Sequence, residues 1–275
     1  MKKPYLILTF FILVFGCKSS KIPTEKLSQF EFPLPKLNLV NNNLEIYLKN
    51  PVKCPLRIWI ETQDDELQGK LSEINPIEIK EYSDTLITVP NVQFTKSFSW
   101  RYRLGSIFKN VKNKKIELPF PKNKQYLVIQ GNNSKPTHNK VYSKYAIDFN
   151  LKVNDTICSS TNGYVVGVID KYIYGGEGEK WKPYGNYITI YESDSGIFYQ
   201  YVHLVQNGSL VKVGDKIESG QPIALSGKTG QTNIEHLHFN CLIPTNNSDG
   251  LKSIPIEFIE GYNSVELKKN DLIKK

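Results

Sequence analysis

The chain has 275 residues, 40% hydrophobic and 23% charged, with 16 Tyr and 13 Phe but one Met. That composition excludes a disordered or fibrous polymer, leaves room for one large or two ordinary domains, and favours strands over helices. The formal net charge is +8, but the lysines are scattered and no nucleic-acid motif occurs, so the charge reads as a solvated surface or an attraction for an anionic polymer such as cell wall.

Met1-Lys2-Lys3 is basic, Tyr5 to Phe15 is an almost unbroken apolar run, and Val14-Phe15-Gly16-Cys17 ends it. The run is too short for an ordinary membrane-spanning helix and has the form of a signal segment. A Cys directly after a small residue at such a junction resembles the lipobox of bacterial lipoproteins. The resemblance implies that residues 1–17 are a lipoprotein signal peptide and that Cys17 is the lipidated residue anchoring the protein to a membrane. With Lys18 next, it implies the outer membrane, facing the periplasm. Cys54, Cys158 and Cys241 remain. No CxxC pair exists, which argues against a thiolate metal site, and Cys158 and Cys241 sit in apolar strand patterns as small buried thiols.

Residues 18–37 carry Pro23, Pro33 and Pro35 among polar residues and are expected to be a tether. Residues 38–120 alternate in short runs, at Leu44–Leu48, Leu56–Ile60, Thr85–Val89 and Phe98–Leu104. Asn41-Asn42-Asn43, Gln63-Asp64-Asp65 and Pro90-Asn91 are turn chemistry between them. The pattern predicts an antiparallel β-sandwich. No cluster of His, Cys or carboxylates with ligand spacing occurs there, so this module is expected to space or dock. Residues 123–243 form a second strand-rich domain punctuated by Gly163, Gly185, Gly196, Gly214, Gly220, Gly227 and Gly230. Its Gly- and charge-rich segment at 171–182 is expected to be a mobile loop. Residues 244–275 are a C-terminal extension, expected to fray from Glu266. The fold class expected is all-β.

The chain has four histidines, and all lie in the second domain. In a strand, residues two apart share a face, so His236 and His238 in Glu235-His236-Leu237-His238-Phe239 project together while Leu237 and Phe239 pack behind. Asp148 sits in the apolar run Tyr145-Ala146-Ile147-Asp148-Phe149, where a carboxylate needs a compensating cation. His203 ends the aromatic strand Tyr201-Val202-His203-Leu204. One shared zinc site, with three His or carboxylate ligands and an open position for water, accounts for these residues together. Five ligands would saturate the ion, so some of the five groups have other work, and imidazoles off the metal suit proton transfer near neutral pH.

His138, Asp148, His203 and His236-Leu237-His238 together resemble the lysostaphin/LytM-type zinc metallopeptidases, which cut peptide bonds in peptidoglycan. Gly185-Asn186-Tyr187, Val211–Gln221 and Gly227-Lys228-Thr229-Gly230 are similar to that family's intervening segments. The resemblance runs from about Gln130 to Ile243. It implies a β-rich lysostaphin/LytM-like (duplicated hybrid motif) catalytic domain with His138, Asp148 and His238 on Zn2+, and His203 and His236 as the catalytic pair on the open side. Asn186 is expected either to bind substrate or to sit at a turn. The interval from His138 to Asp148 is longer than in many relatives, as in a lipoprotein subgroup with a preceding β-sandwich. The implied function is a zinc-dependent endopeptidase acting on peptidoglycan stem peptides or cross-bridges at the cell envelope. The alternative is a non-catalytic peptidoglycan-binding regulator of another wall hydrolase.

Overall fold

The alternation of Leu44, Ile46 and Leu48 with polar residues puts all three on one buried face of a strand. The computed structural model describes residues 22–92, 97–246 and 250–275; the signal segment and Cys17 lie outside the described residues. The first module contains β1 (Lys36–Val40), β2 (Asn43–Lys49), β3 (Leu56–Thr62), α1 (Asp65–Ile74), β4 (Ile77–Ile79), β5 (Asp84–Val89) and β6 (Phe98–Leu104). They form two three-stranded antiparallel sheets, β1–β2–β5 and β4–β3–β6. Both sheets contribute to one core around Ile46, Ile58, Ile60 and Leu71. Asn41 and Asn42, at φ of 49° and 61°, close the β1–β2 hairpin. Two successive left-handed residues match the strand twist, and Asn tolerates them.

Helix α1 falls where the sequence predicts only a turn. Asp64 caps it by accepting from the Leu67 amide at 3.1 Å. Leu67 and Leu71, one turn apart, bury the same face.

The second unit begins with β7 (Lys115–Ile116), β8 (Gln125–Gln130), β9 (Ile147–Phe149), β10 (Thr156–Cys158), β11 (Gly163–Ile169) and β12 (Gly175–Gly176). It continues with β13 (Tyr187–Glu192), β14 (Ile197–Val202), β15 (Leu204–Ser209), β16 (Lys216–Ile217), β17 (Pro222–Ser226) and β18 (Gly230–Gln231). The last strands are β19 (Leu237–Pro244), β20 (Leu251–Ser253), β21 (Glu257–Phe258) and β22 (Leu272–Lys274). The main sheet runs β16–β11–β13–β14–β19–β9–β8–β22, with β20 added beside β19. A smaller sheet, β10–β17–β15, packs across its back. The core between them takes Ile188, Ile190, Tyr199, Tyr201, Leu237 and Phe239 from the large sheet and Ile157, Leu204, Ile223 and Ala224 from the small one. Alternation therefore turns Tyr187, Thr189, Gln200, Val202, His238 and Asn240 to the other face. The predicted all-β class holds.

Three expected boundaries change. Residues 22–32 are docked rather than free. Ile22 and Leu27 pack with Tyr172, Trp181 and Tyr184, the Leu27 amide donates to the Tyr172 hydroxyl at 2.7 Å, and the Val168 amide donates to the Gln29 carbonyl at 2.7 Å. Apolar side chains spaced through a polar run made this possible. The 171–182 segment is pinned by buried Trp181 and by parallel pairing of β12 with β18. The C-terminal extension does not fray at Glu266: β22 pairs with β8, Ile273 is buried, and Lys275 bonds Glu117 at 2.9 Å. Cys54, Cys158 and Cys241 are buried free thiols.

The two units meet through a shared apolar cluster that includes Leu56 and Leu104 from the first and Phe198 and Leu242 from the second. Arg57, fully buried, closes this joint. Its guanidinium donates to the carbonyls of Gly105 (2.8 Å), Leu104 (3.1 Å), Thr245 (3.0 Å) and Gly250 (2.8 Å).

Candidate metal centre and active site

Antiparallel register builds the centre. β19 pairs with β9 so that His238 stands opposite Asp148, and with β14 so that His238 stands opposite Val202, just before His203. His138 reaches the same point from the loop after β8. Its Nε2 lies 3.2 Å from His238 Nδ1 and 3.2 Å from Asp148 Oδ1, and His238 Nδ1 lies 2.8 Å from Asp148 Oδ1. His138 is fully buried and Asp148 nearly so.

This donor set fits a divalent cation. A tetrahedral zinc with ligands at about 2.0–2.1 Å holds its donor atoms about 3.3 Å apart, close to the spacings seen. A single proton bridges only one pair of these three atoms at a time, whereas a cation serves all three. His138 Nδ1 donates to the Gly131 carbonyl at 3.2 Å, since a carbonyl only accepts, and that leaves Nε2 with its lone pair inward. His138, Asp148 and His238 are also the group of His and carboxylate donors that can hold a metal among the described residues.

Charge within the metal-free cluster is strongly coupled. Burial works against the Asp148 carboxylate, but His138, His236 and His238 around it hold its pKa well below the usual range. Burial pulls His138 down, yet Asp148 and the Gly131 and Ala146 carbonyls outweigh it and the net shift is up. Burial dominates for His238, whose pKa is lowered.

His203 and His236 stand beside the donors. Their ring centroids are 4.5 Å apart, and His203 lies 6.0 Å from the His238 ring. His203 Nδ1 donates to the Thr229 carbonyl at 2.6 Å, so its Nε2 is the basic nitrogen. Burial, then repulsion from His236 and His238, depresses its pKa well below the ordinary imidazole value, and the ring is neutral. His203 also has φ of 69°, a left-handed conformation that costs a non-glycine residue energy and persists where surroundings enforce it. His236 Nδ1 faces the Ile234 carbonyl at 3.1 Å and the Thr232 hydroxyl at 3.3 Å, and its Nε2 lies 3.6 Å from Asp148 Oδ2. Glu235 turns away from His236 to pair with Lys152 at 3.1 Å.

The enforcing structure is a loop network the sequence did not reveal. Thr229 Oγ1 accepts from the Asn186 amide at 3.0 Å and donates to the Leu204 carbonyl at 2.8 Å. The Asn186 side chain accepts from the Tyr172 amide and donates to the Tyr172 and Leu204 carbonyls. Asn186 is therefore wholly buried, with its side chain bonded to the backbone of neighbouring segments as a turn residue would be. Gly230, at φ of 81°, has room for no side chain, because a Cβ there would lie 2.6 Å from Gly185 Cα. That contact closes the Asn186 and Thr229 loops beneath His203. Thr229 itself carried no chemical signal in the sequence beyond its place in Gly-Lys-Thr-Gly.

Residues 142–249 match peptidase family M23. The chain carries an M23 peptidase domain. The matched stretch begins after His138, so the place of that histidine in the centre rests on geometry. Over 142 residues the chain is 33% identical to peptidoglycan DD-endopeptidase ShyB of Vibrio cholerae, covering 50% of this chain and 30% of that protein. It is 30% identical to lysostaphin of Staphylococcus simulans over 121 residues, covering 43% and 22% respectively. The lysostaphin structure from that organism aligns at 25% identity and a TM-score of 0.35, over 46% of this chain and 47% of that one. The M23 domain thus spans under a third of these curated relatives.

Proposed function

We propose that the protein is a zinc-dependent endopeptidase that hydrolyses peptide bonds in peptidoglycan stem peptides or cross-bridges. One observation carries the reading: three donor atoms, on buried His138 and Asp148 and on partly exposed His238, converge within 3.2 Å of one another while two further imidazoles flank them. His138, Asp148 and His238 would hold the metal. When bound, zinc lowers the pKa of a coordinated water toward neutrality and polarises the scissile carbonyl. His203, neutral and with Nε2 unprotonated, takes a proton from the attacking water at that atom. Once protonated, the same nitrogen donates to the oxyanion developing on the substrate carbon or to the leaving amine. His236 shares that duty from the other side, oriented through its Nδ1 by Ile234 and Thr232. The Thr229 carbonyl fixes which His203 nitrogen does the work.

The same proposal places the protein at the bacterial envelope, lipidated at Cys17 and facing the periplasm from the outer membrane. The Met1–Cys17 pattern supports this; a Cys17→Ala variant that still fractionated with membranes would reject it. The test of function is digestion of purified peptidoglycan by the zinc-loaded protein and by His236→Ala, with masses of the products. New fragments from the first and a strong reduction from the second are expected; intact peptidoglycan with fully zinc-loaded protein overturns the assignment.

A further inference from the structure

We infer that the cavity where β6 of the first module meets the face of the M23 sheet is a substrate subsite for an extended peptide, two or three residues from the bond that is cut. The inference rests on the endopeptidase reading. The cavity measures about 430 Å³, and residues 100–104 of β6 line one side. Tyr142, Tyr187, Thr189 and Gln200 line the other. That volume lies within the range of ordinary ligand sites.

Register ties this cavity to the metal centre. Val202 stands opposite both His238 and Tyr187, and Gln200 stands opposite both Asn240 and Thr189. All face away from the core side of the sheet, so the cavity floor continues the surface that presents His238. With strands about 4.8 Å apart and about 3.3 Å of rise per residue, Tyr187 and Gln200 lie about 8–10 Å from His238. An extended peptide covers that distance in two to three residues.

The opposite wall identifies the ligand as backbone-rich. Five consecutive residues of β6 line the cavity, including both sets of alternating side chains. A strand that borders a space through both sets borders it with its edge. β6 is an edge strand, pairing only with β3 among the described residues. Along this edge the Tyr102 carbonyl already accepts from Arg103 at 2.9 Å and the Leu104 carbonyl from Arg57 at 3.1 Å, so the edge amides and the Trp100 carbonyl are the groups left to pair with an extended peptide that adds to the sheet. Trp100 and Tyr102 flank the edge, and Tyr102 is held by ring contacts with Phe30 and Phe32 at 5.2 and 5.0 Å. Across the gap the Tyr142 hydroxyl donates to Gln200 Oε1 at 2.9 Å and Gln200 Nε2 donates to Thr189 Oγ1 at 3.5 Å, which fixes a polar floor beneath the cavity. The β6 wall lies outside the matched stretch 142–249, so the first module contributes substrate contacts that the M23 domain alone lacks.

The experiment compares peptides of one sequence, extended by three residues or truncated to one on each side of the cleaved bond in turn. Extension on one side is expected to raise kcat/KM by about tenfold in the wild-type protein, as remote binding energy is expressed in the transition state. Trp100→Ala and Gln200→Leu are expected to abolish most of that gain while cleaving the truncated peptide as before. The long-to-short ratio is taken within one preparation, so partial misfolding cancels. An unchanged ratio in both variants overturns the subsite. If the wild-type protein cleaves no peptide, the functional assignment fails instead. The subsite is then judged by titrating the metal-free proteins with the extended peptide: weaker binding in the variants upholds it, and equal binding overturns it.

Discussion

Two buried polar centres, some distance apart in this molecule, solve opposite problems. At the joint between modules, Arg57 is a buried cation that donates to four carbonyls. At the His138–Asp148–His238 centre, two imidazole nitrogens and a carboxylate oxygen converge on one another instead, in a group that can hold a metal ion. Burial alone therefore does not mark function. A saturated buried charge holds structure together; a convergent set of acceptors is incomplete without a cation.

The comparison breaks most sharply at Asp148. Asp148→Ala removes the one carboxylate in the donor set, so metal content and peptidoglycan cleavage should both fall to background, as they should on chelation of the unaltered protein. Elemental analysis beside the cleavage assay checks this. His203→Ala should separate the two properties. The metal stays, while the rate drops by about 100- to 10,000-fold, the usual worth of positioned acid–base help. A loss of zinc in that variant would return His203 to the ligand set.

Arg57→Met tests the other centre. Four carbonyls lose their bond from Arg57, Gly250 keeping that from the Thr245 amide, and with each bond worth on the order of 1 kcal/mol, unfolding free energy should fall by about 3–4 kcal/mol. Metal content per folded molecule should be unchanged. Denaturant unfolding with zinc analysis distinguishes this from a variant that damages the site.

How much of this contrast the sequence carried depends on the kind of signal. The five site residues were legible because His is scarce in this chain and because strand alternation predicts which of them share a face. Register, which sets Asp148 against His238, was not, since it arises from pairing between strands about ninety residues apart. Arg57 was invisible: its partners are backbone carbonyls, and any residue supplies those. Docking of residues 22–32 was hidden in the same way, because Ile22, Leu27, Phe30 and Phe32 show no period among prolines and charges. The signal was their apolar character alone, and the prolines argued against it.

Acidity sharpens the comparison further. In the metal-free protein the His138 pKa is raised above its ordinary 6.5. The proton on His138 must leave before a cation binds, so protons compete with metal at a higher pH than free imidazole would allow. Asp148, lowered well below its ordinary range, stays ionised throughout and adds no pH dependence there. Zinc affinity should therefore decline as pH falls, beginning above pH 6.5. Chelator competition at a series of pH values measures it; a flat affinity down to about pH 5.5 would contradict the shift.

The smallest expected effect is the most specific to the way His203 is held. Thr229→Val keeps shape but removes a hydroxyl that bonds both the Asn186 amide and the Leu204 carbonyl. Two hydrogen bonds of about 1 kcal/mol each bound the loss, and only part of it falls on catalysis, so kcat should drop by about three- to tenfold. Zinc content and KM should hold. Because the Thr229 carbonyl selects the His203 tautomer, the acid limb of the pH–rate profile should move as well, and Thr229→Ser should restore both. A hydroxyl that merely stabilised the fold would lower the melting temperature and leave that limb where it was.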